Sequence, residues 1–159
     1  MAAEIIQGLN SYFTFRLGTE LFAVNIGHVT KILGLVELTK VPNSPKYFKG
    51  IINLFGDVLP VFDGRLKFGF AETENTRNTC ILVFVFELNG RVVLSGITVD
   101  SVEKVRIFEP EQVNPELTVG NGFNNEYVFG IATVNNEIVV ILNIEKIFSE
   151  EEISLVKVV

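Results

Sequence analysis

Phe13, Phe15 and Leu17 alternate with Thr14 and Arg16, a pattern that predicts a half-buried strand. Gly18-Thr19-Glu20 reads as a turn, and Leu21 to Ile26 as a second strand. His28 to Leu33 keeps Val29, Ile32 and Leu33 apolar, and fits either a strand or a short helical turn. Thr39 to Val41 predicts a short strand stopped by Pro42, and Pro42 with Pro45 forbids regular structure at Asn43-Ser44. Lys46 to Lys49 predicts one helical turn ending at Gly50. Ile51 to Phe62 predicts a hairpin around Gly56-Asp57, and Pro60 in its second arm calls for an edge strand or a bulge. Asp63 is placed to cap a turn of helix running through Phe68.

Ala71 to Thr79 is polar and marks the expected boundary between two halves. Beyond it, Ile81 to Leu88 and Arg91 to Val99 flank Asn89-Gly90, the strongest short hairpin signal. Val102 to Phe108 extends that sheet, and Glu109 to Phe123 reads as loop. Phe129 to Thr133 and Ile138 to Leu142 form a last hairpin. Asn143 to Phe148, then Ser149 to Leu155, read as terminal helix, with Ser149 and Glu152 spaced as a capping box. Many short strands with short connections predict a mainly β fold, as small barrels or a sandwich.

Two internal echoes sharpen this. GIINLFGDVLPVFDGRLKF, from Gly50 to Phe68, recurs in outline as GIATVNNEIVVILNIEKIF, from Gly130 to Phe148. Val24 to Ile26 with Val29 to Ile32 matches Ile97 to Val99 with Val102 to Val105. A repeated hairpin unit predicts two similar β modules and a binding scaffold rather than one pocket.

Composition narrows function more than fold. The 159 residues suffice for one domain or two tightly joined subdomains, and 48% hydrophobic content argues against disorder. The net charge is −6 with no Lys/Arg cluster, which argues against nucleic acid or an anionic membrane as partner. The first residues lack a basic and an apolar signal region, and the run Ile81 to Phe86 is too short to span a bilayer. The lone Cys80 reads as a buried thiol in a reducing compartment, so the cytoplasm is expected.

Candidate chemistry is sparse. His28 is the only histidine and has no motif around it; with one Cys beside it, a tetrahedral zinc site is out of reach. Cys80 lacks the electropositive setting that activates a thiol. Glu150-Glu151-Glu152 reads as a helix start, and Asp57, Asp63 and Asp100 as turn or strand-end residues. Gly120-Asn121-Gly122 is only a very weak phosphate candidate. No enzyme, cofactor or metal is expected. Apolar residues at a hairpin rim are the remaining resource for binding: Val29, Ile32, Leu54 and Phe55. Taken singly, Val29 and Ile32 read as core; Phe55, in a turn before Gly56, does not. A small-molecule-sensing barrel would need convergent polar groups in a cavity, and the chain offers no such set.

The runs FTFRLGTELFAVNIGHVTKI, LTKVPNSPKYFKGIINLFGDVLPVFDGRLKFG, GRVVLSGITVDSVEKV and YVFGIATVNNEIVVILNIEKIFSEEE carry a resemblance across nearly the whole chain. The pattern xVPxxPxxxxGxINLxGxVxPVxDxRxxFG is similar to that of the CheW family of bacterial chemotaxis coupling proteins. That resemblance implies a single domain over 11–152 built of two five-stranded SH3-like β-barrels with short helices. The first barrel is expected over about 18–79. The second is expected over 80–148 with strand 11–17, followed by a C-terminal helix or tail at 149–159. It implies a non-enzymatic adaptor that binds the regulatory domain of a CheA-type histidine kinase and the cytoplasmic tip of methyl-accepting receptors. Carried over by motif, Thr39, Val41, Asn43, Gly50, Leu54 and Val58 fall to the kinase, and Val29, Lys31, Ile32, Phe55, Val99 and Val102 to the receptor. An adaptor of a parallel pathway, for surface motility or type IV pili, is the alternative of the same class.

Three positions depart from the family pattern. Phe55 stands where Arg is usual, Lys31 where Glu is usual, and Asp63-Gly64-Arg65 where Asp-Leu-Arg is usual. Losing a charge-assisted docking pair costs about 2–5 kcal/mol against an unchanged partner. The expectation is therefore a divergent adaptor with Phe55 as an aromatic anchor, set against simple drift at a tolerant site.

Overall fold

A computed structural model describes residues 10–115 and 126–154. Ten strands carry the fold: β1 (Ser11–Leu17), β2 (Glu20–Asn25), β3 (Val29–Gly34), β4 (Phe48–Leu54), β5 (Asp57–Asp63), β6 (Cys80–Leu88), β7 (Arg91–Val99), β8 (Ser101–Ile107), β9 (Val128–Val134) and β10 (Glu137–Leu142). Three short helices follow hairpins or end the chain: α1 (Gly64–Lys67), α2 (Ile144–Ile147) and α3 (Glu150–Ser154). The Gly120-Asn121-Gly122 loop, the first nine residues and the end of the expected terminal helix lie outside the described residues.

The strands form two five-stranded sheets, ordered β3-β6-β7-β5-β4 and β8-β1-β2-β10-β9. The two orders are the same once β1 to β5 are matched to β6 to β10. That is the internal repeat in three dimensions: β4-β5-α1 and β9-β10-α2 occupy equivalent places. Equivalent contacts recur too. Asp63 N donates to Tyr47 O and Asn143 N to Tyr127 O, both at 2.7 Å.

Barrel membership differs from the expected split at 79/80. Each repeat gives its first two strands to one sheet and its last three to the other. β2 leaves for β3 across a 3-10 turn at Ile26–His28, and β7 leaves for β8 at Asp100. The first sheet therefore holds residues 29–99, and the second holds 11–25 with 101–142. The polar stretch 71–79 joins two strands of one sheet. It marks the border of the sequence repeats and not that of the sheets.

Local details follow from side-chain chemistry. Asp63 caps α1, its Oδ1 accepting from Leu66 N at 3.1 Å. Ser149 and Glu152 complete the capping box, with bonds of 2.8 and 3.1 Å. Lys46 to Lys49 does not form the expected helical turn, because Phe48 already begins β4 and pairs with Phe62. Thr39 makes only an isolated bridge to Ile51. Pro60 sits inside β5 without a bulge at its own position. It faces Ile51, whose N–H and C=O turn away to Thr39, and the β5–β7 ladder starts one residue later at Val61. No ladder bond is lost to the missing N–H.

Three apolar clusters hold the molecule together. Leu59, Val61, Ile81 and Val83 fill the first sheet's interior, and Tyr12, Leu21, Ala23, Phe108, Val139 and Ile141 fill the second's. The largest cluster lies between the sheets. It is rich in phenylalanine, with Phe13, Phe15, Phe22, Phe48, Phe62, Phe84, Phe86 and Phe148, and Cys80 lies at its margin. Phe15, Phe22, Phe68 and Tyr127 run in contact at centroid spacings of 5.8–5.9 Å, which binds the sheets into one body.

Gly64 explains one departure from the family pattern. A Cβ there would lie 2.2 Å from Thr98 O. Gly64→Ala is expected to lower stability by about 1–3 kcal/mol in urea denaturation, because backbone must move to admit one methyl group.

Candidate docking surface

The β4–β5 turn is the most exposed aromatic feature among the described residues. Phe55 and Gly56 both take positive φ, 52° and 93°, as a two-residue hairpin turn of this hand requires. Asn53 Oδ1 accepts from Gly56 N at 2.8 Å and steadies it. Two of the other three hairpin turns satisfy the same geometry with Asn89-Gly90 (φ 53° and 80°) and Asn135-Asn136 (φ 50° and 64°), while the β1–β2 turn places Gly18 (φ 63°) first. Asparagine tolerates the left-handed region; a phenylalanine there costs about 1–2 kcal/mol. Phe55 recovers little of this by packing, since it is 87% exposed.

What Phe55 does touch is Lys31. The ammonium lies 4.6 Å from the ring centroid. Lys31 is on β3 and Phe55 beside β4, the two outer strands of the same sheet. The contact spans the seam where the rolled sheet brings its edges together. At this exposure it contributes about 0.5–1 kcal/mol. The two charge-changing departures from the family pattern are therefore neighbours, and an intramolecular cation–aromatic pair occupies the rim where Glu and Arg are usual.

Further apolar side chains beside this pair along the chain are exposed. Ile32 is 47% and Val58 42% exposed, and Leu35 and Val36, which the sequence reading passed over, are also exposed. An apolar pair just after Gly34, with no strand alternation to bury it, was the available signal. Thr39 and Asn43 are exposed, while Val29, Val41, Leu54 and Val102 are half-buried against the cores. Two expected contacts differ. Gly50 is buried, and a Cβ on it would meet Thr39 O at 2.6 Å. Val99 is 1% exposed, because it pairs with Cys80 inside the inter-sheet cluster. Both shape the surface from beneath and neither is available to a partner.

The crossing between sheets is tied by Asp100. Its carboxylate accepts from Arg65 Nε at 2.9 Å, from Arg65 Nη2 at 2.5 Å and from Gly18 N at 2.5 Å. Partial burial pulls its pKa up, but the Arg65 bonds, the Gly18 N–H and the Arg65 charge outweigh this and hold it below the usual carboxylate range. This bridge links α1, the β1–β2 turn and the start of β8.

The remaining chemistry-bearing groups are engaged locally. His28 Nδ1 is 2.9 Å from Val85 O. Burial pushes the Cys80 thiol pKa up, away from the reactive thiolate. Among the described residues no group of three or more His, Cys, Asp or Glu side chains is arranged to hold a metal ion. Nor is any helix among them long and apolar enough to cross a membrane.

Comparison with known proteins agrees with this architecture. The CheW-like domain description matches residues 11–152. The chemotaxis protein CheW of Klebsiella aerogenes is 33% identical over 145 residues, which cover 91% of this chain and 85% of that one. Protein FrzA of Myxococcus xanthus is 28% identical over 138 residues, covering 86% and 83%. The crystal structure of the scaffolding protein TtCheW from Thermoanaerobacter tengcongensis superposes with a TM-score of 0.78 at 26% identity, covering 90% of this chain and 94% of that one. With that domain matched over residues 11–152 and the fold superposing on a solved scaffold over most of both chains, the chain belongs to the CheW-like domain family.

Proposed function

We propose that the protein is a non-enzymatic adaptor that couples methyl-accepting chemotaxis receptors to a CheA-type histidine kinase in the cytoplasm, at receptor arrays in the membrane. The observation that carries this reading is Phe55. A large aromatic ring is held out to solvent, 87% exposed, in a strained turn position that the other three hairpins fill with Asn89, Asn135 or Gly18. Such strain persists where a surface is kept for another molecule, and buried aromatic anchors dominate protein interfaces. Thr39, Val41, Asn43, Leu54 and Val58 face the kinase regulatory domain in this reading. Val29, Lys31, Ile32, Phe55 and Val102 face the receptor tip. The departures at Lys31 and Phe55 compensate each other within this chain, so the cognate receptor meets a cation seated on a ring rather than an ion pair.

The similarity to FrzA favours a second reading of the same class, an adaptor of a parallel pathway for surface motility or pili. Isothermal titration of the chain with the regulatory domain of its own organism's kinases decides between them. Saturable binding to the chemotaxis kinase supports the first reading; binding confined to a kinase of another system supports the second. Binding to none, with a thermal shift on adding a metabolite, overturns both.

A further inference from the structure

β8 is an outer strand of the second sheet, and its free edge carries an unusual combination of groups. Phe108 N donates to Asn10 O at 2.9 Å, toward β1. Strand alternation then directs the backbone groups of Arg106 toward β1 and those of Val105 and Ile107 away from it. Among the described residues no backbone group pairs with Val105 or Ile107 on that outer side. Their side chains are 48% and 66% exposed.

The alternate residues, Lys104 and Arg106, line a cleft of about 410 Å³ between this edge and Thr133–Val134 of β9, the opposite outer strand. No ion pair among the described residues uses either cation. The Nε of Arg106 is buried without a hydrogen-bond partner. The nearby carboxylate is Glu137, held at low pKa first by its bond from Arg16 and least by the charge of Arg106. Both Glu137 oxygens are already taken by Arg16, at 2.7 and 3.0 Å.

Charges on an edge strand ordinarily protect it from pairing. Two exposed β-branched residues beside them, over open backbone donors and acceptors, have the opposite effect. We propose that the outer edge of β8 accepts an extended peptide as an added strand, with acidic side chains at alternate positions meeting Lys104 and Arg106. Val105 and Ile107 N–H and C=O supply the ladder, and the cations set the sequence preference. A second copy of this chain is a poor occupant. Antiparallel pairing of two β8 edges about Val105 would set Lys104 of each copy opposite Arg106 of the other on one face, and like charges directly opposite are destabilising.

The test is an NMR titration of the full chain, labelled with nitrogen-15, with a capped synthetic peptide that alternates Glu and Val. Shifts centred on Val105 and Ile107, with slowed hydrogen exchange at those two amides, are expected. Reversing both cations, Lys104→Glu with Arg106→Glu, is expected to weaken binding by about tenfold or more. Ile107→Pro removes an outward N–H without touching the β1 ladder, and is expected to abolish binding while the protein still melts cooperatively. If Ile107→Pro fails to fold, the charge-reversed protein decides, and an unchanged affinity overturns the proposal. So do equal binding of a peptide with Lys in place of Glu, shifts clustered away from β8, or no binding at millimolar peptide.

Discussion

Lys67→Ala is expected to lower folding stability by about 3–5 kcal/mol, measured by urea denaturation at neutral pH. Lys67 ends α1, and its side chain is only 3% exposed. The ammonium meets Glu152 of α3 at 2.5 Å. It also lies 5.2–5.7 Å from the ring centroids of Tyr47, Phe62, Tyr127 and Phe148. Burial pushes its pKa down, and the bond and charge of Glu152 offset this only in part. Glu152 also raises the Tyr47 hydroxyl, which burial first and the Glu152 bond second push up to about 12. Truncating Lys67 leaves an uncompensated carboxylate and a void inside an aromatic box. Replacing both partners by apolar residues, Lys67→Met with Glu152→Leu, is expected to recover most of the loss, because a buried pair rarely outweighs its own desolvation. A double variant no more stable than Lys67→Ala would show that this account of the box is wrong. The pair fastens the terminal helix to the first sheet across the inter-sheet cluster, so its loss should also expose α3 to proteolysis before the rest of the chain.

The second large effect separates stability from binding. Phe55→Asn creates Asn-Gly, the turn already used at Asn89-Gly90. Relief of the left-handed strain, less the lost contact with Lys31, is expected to raise stability by roughly 0.5–1 kcal/mol. Binding to the receptor tip is expected to weaken by about 2 kcal/mol or more, some thirtyfold, as for an interface anchor. A conserved stability with unchanged receptor affinity would return Phe55 to simple drift. Lys31→Glu alone should cost binding as well, since it puts a carboxylate against the negative face of the ring.

Much of the fold was legible because its signals are local. Asn89-Gly90, the Gly-Ile openings at Gly50 and Gly130, the Asp63 cap and the Ser149–Glu152 box each depend on residues a few positions apart, and each stands in the structure. The exchange of strands between repeats left no mark in the residue pattern, and the family resemblance placed only strand 11–17 in the other barrel, because pairing β2 with β10 is non-local and leaves no periodicity of its own. Lys46 to Lys49 reads as a helical turn by composition, yet the ladder from Phe48 to Phe62 overrides so weak a preference. Lys67 looks like an ordinary cation at a helix end, and only tertiary packing of four rings reveals it as core.

The docking surface divided along the same line. Phe55 was recognisable from its place in a turn, where a ring has nothing to pack against. Its contact with Lys31 was not, because the two residues sit on opposite edges of a sheet that only rolling brings together. Gly50 and Val99 belong to motif segments that line the surface, but a motif does not say which of its residues point outward. Gly64 illustrates the converse: its departure from the family pattern looked like variation and is a steric demand of Thr98.

The most direct measurement is sedimentation velocity on a mixture of this chain, its cognate kinase regulatory domain and a receptor cytoplasmic fragment. One boundary containing all three is expected, with the receptor fragment lost from it on Phe55→Asn while the kinase domain stays. Three independent boundaries, or a complex indifferent to Phe55, would contradict the adaptor reading.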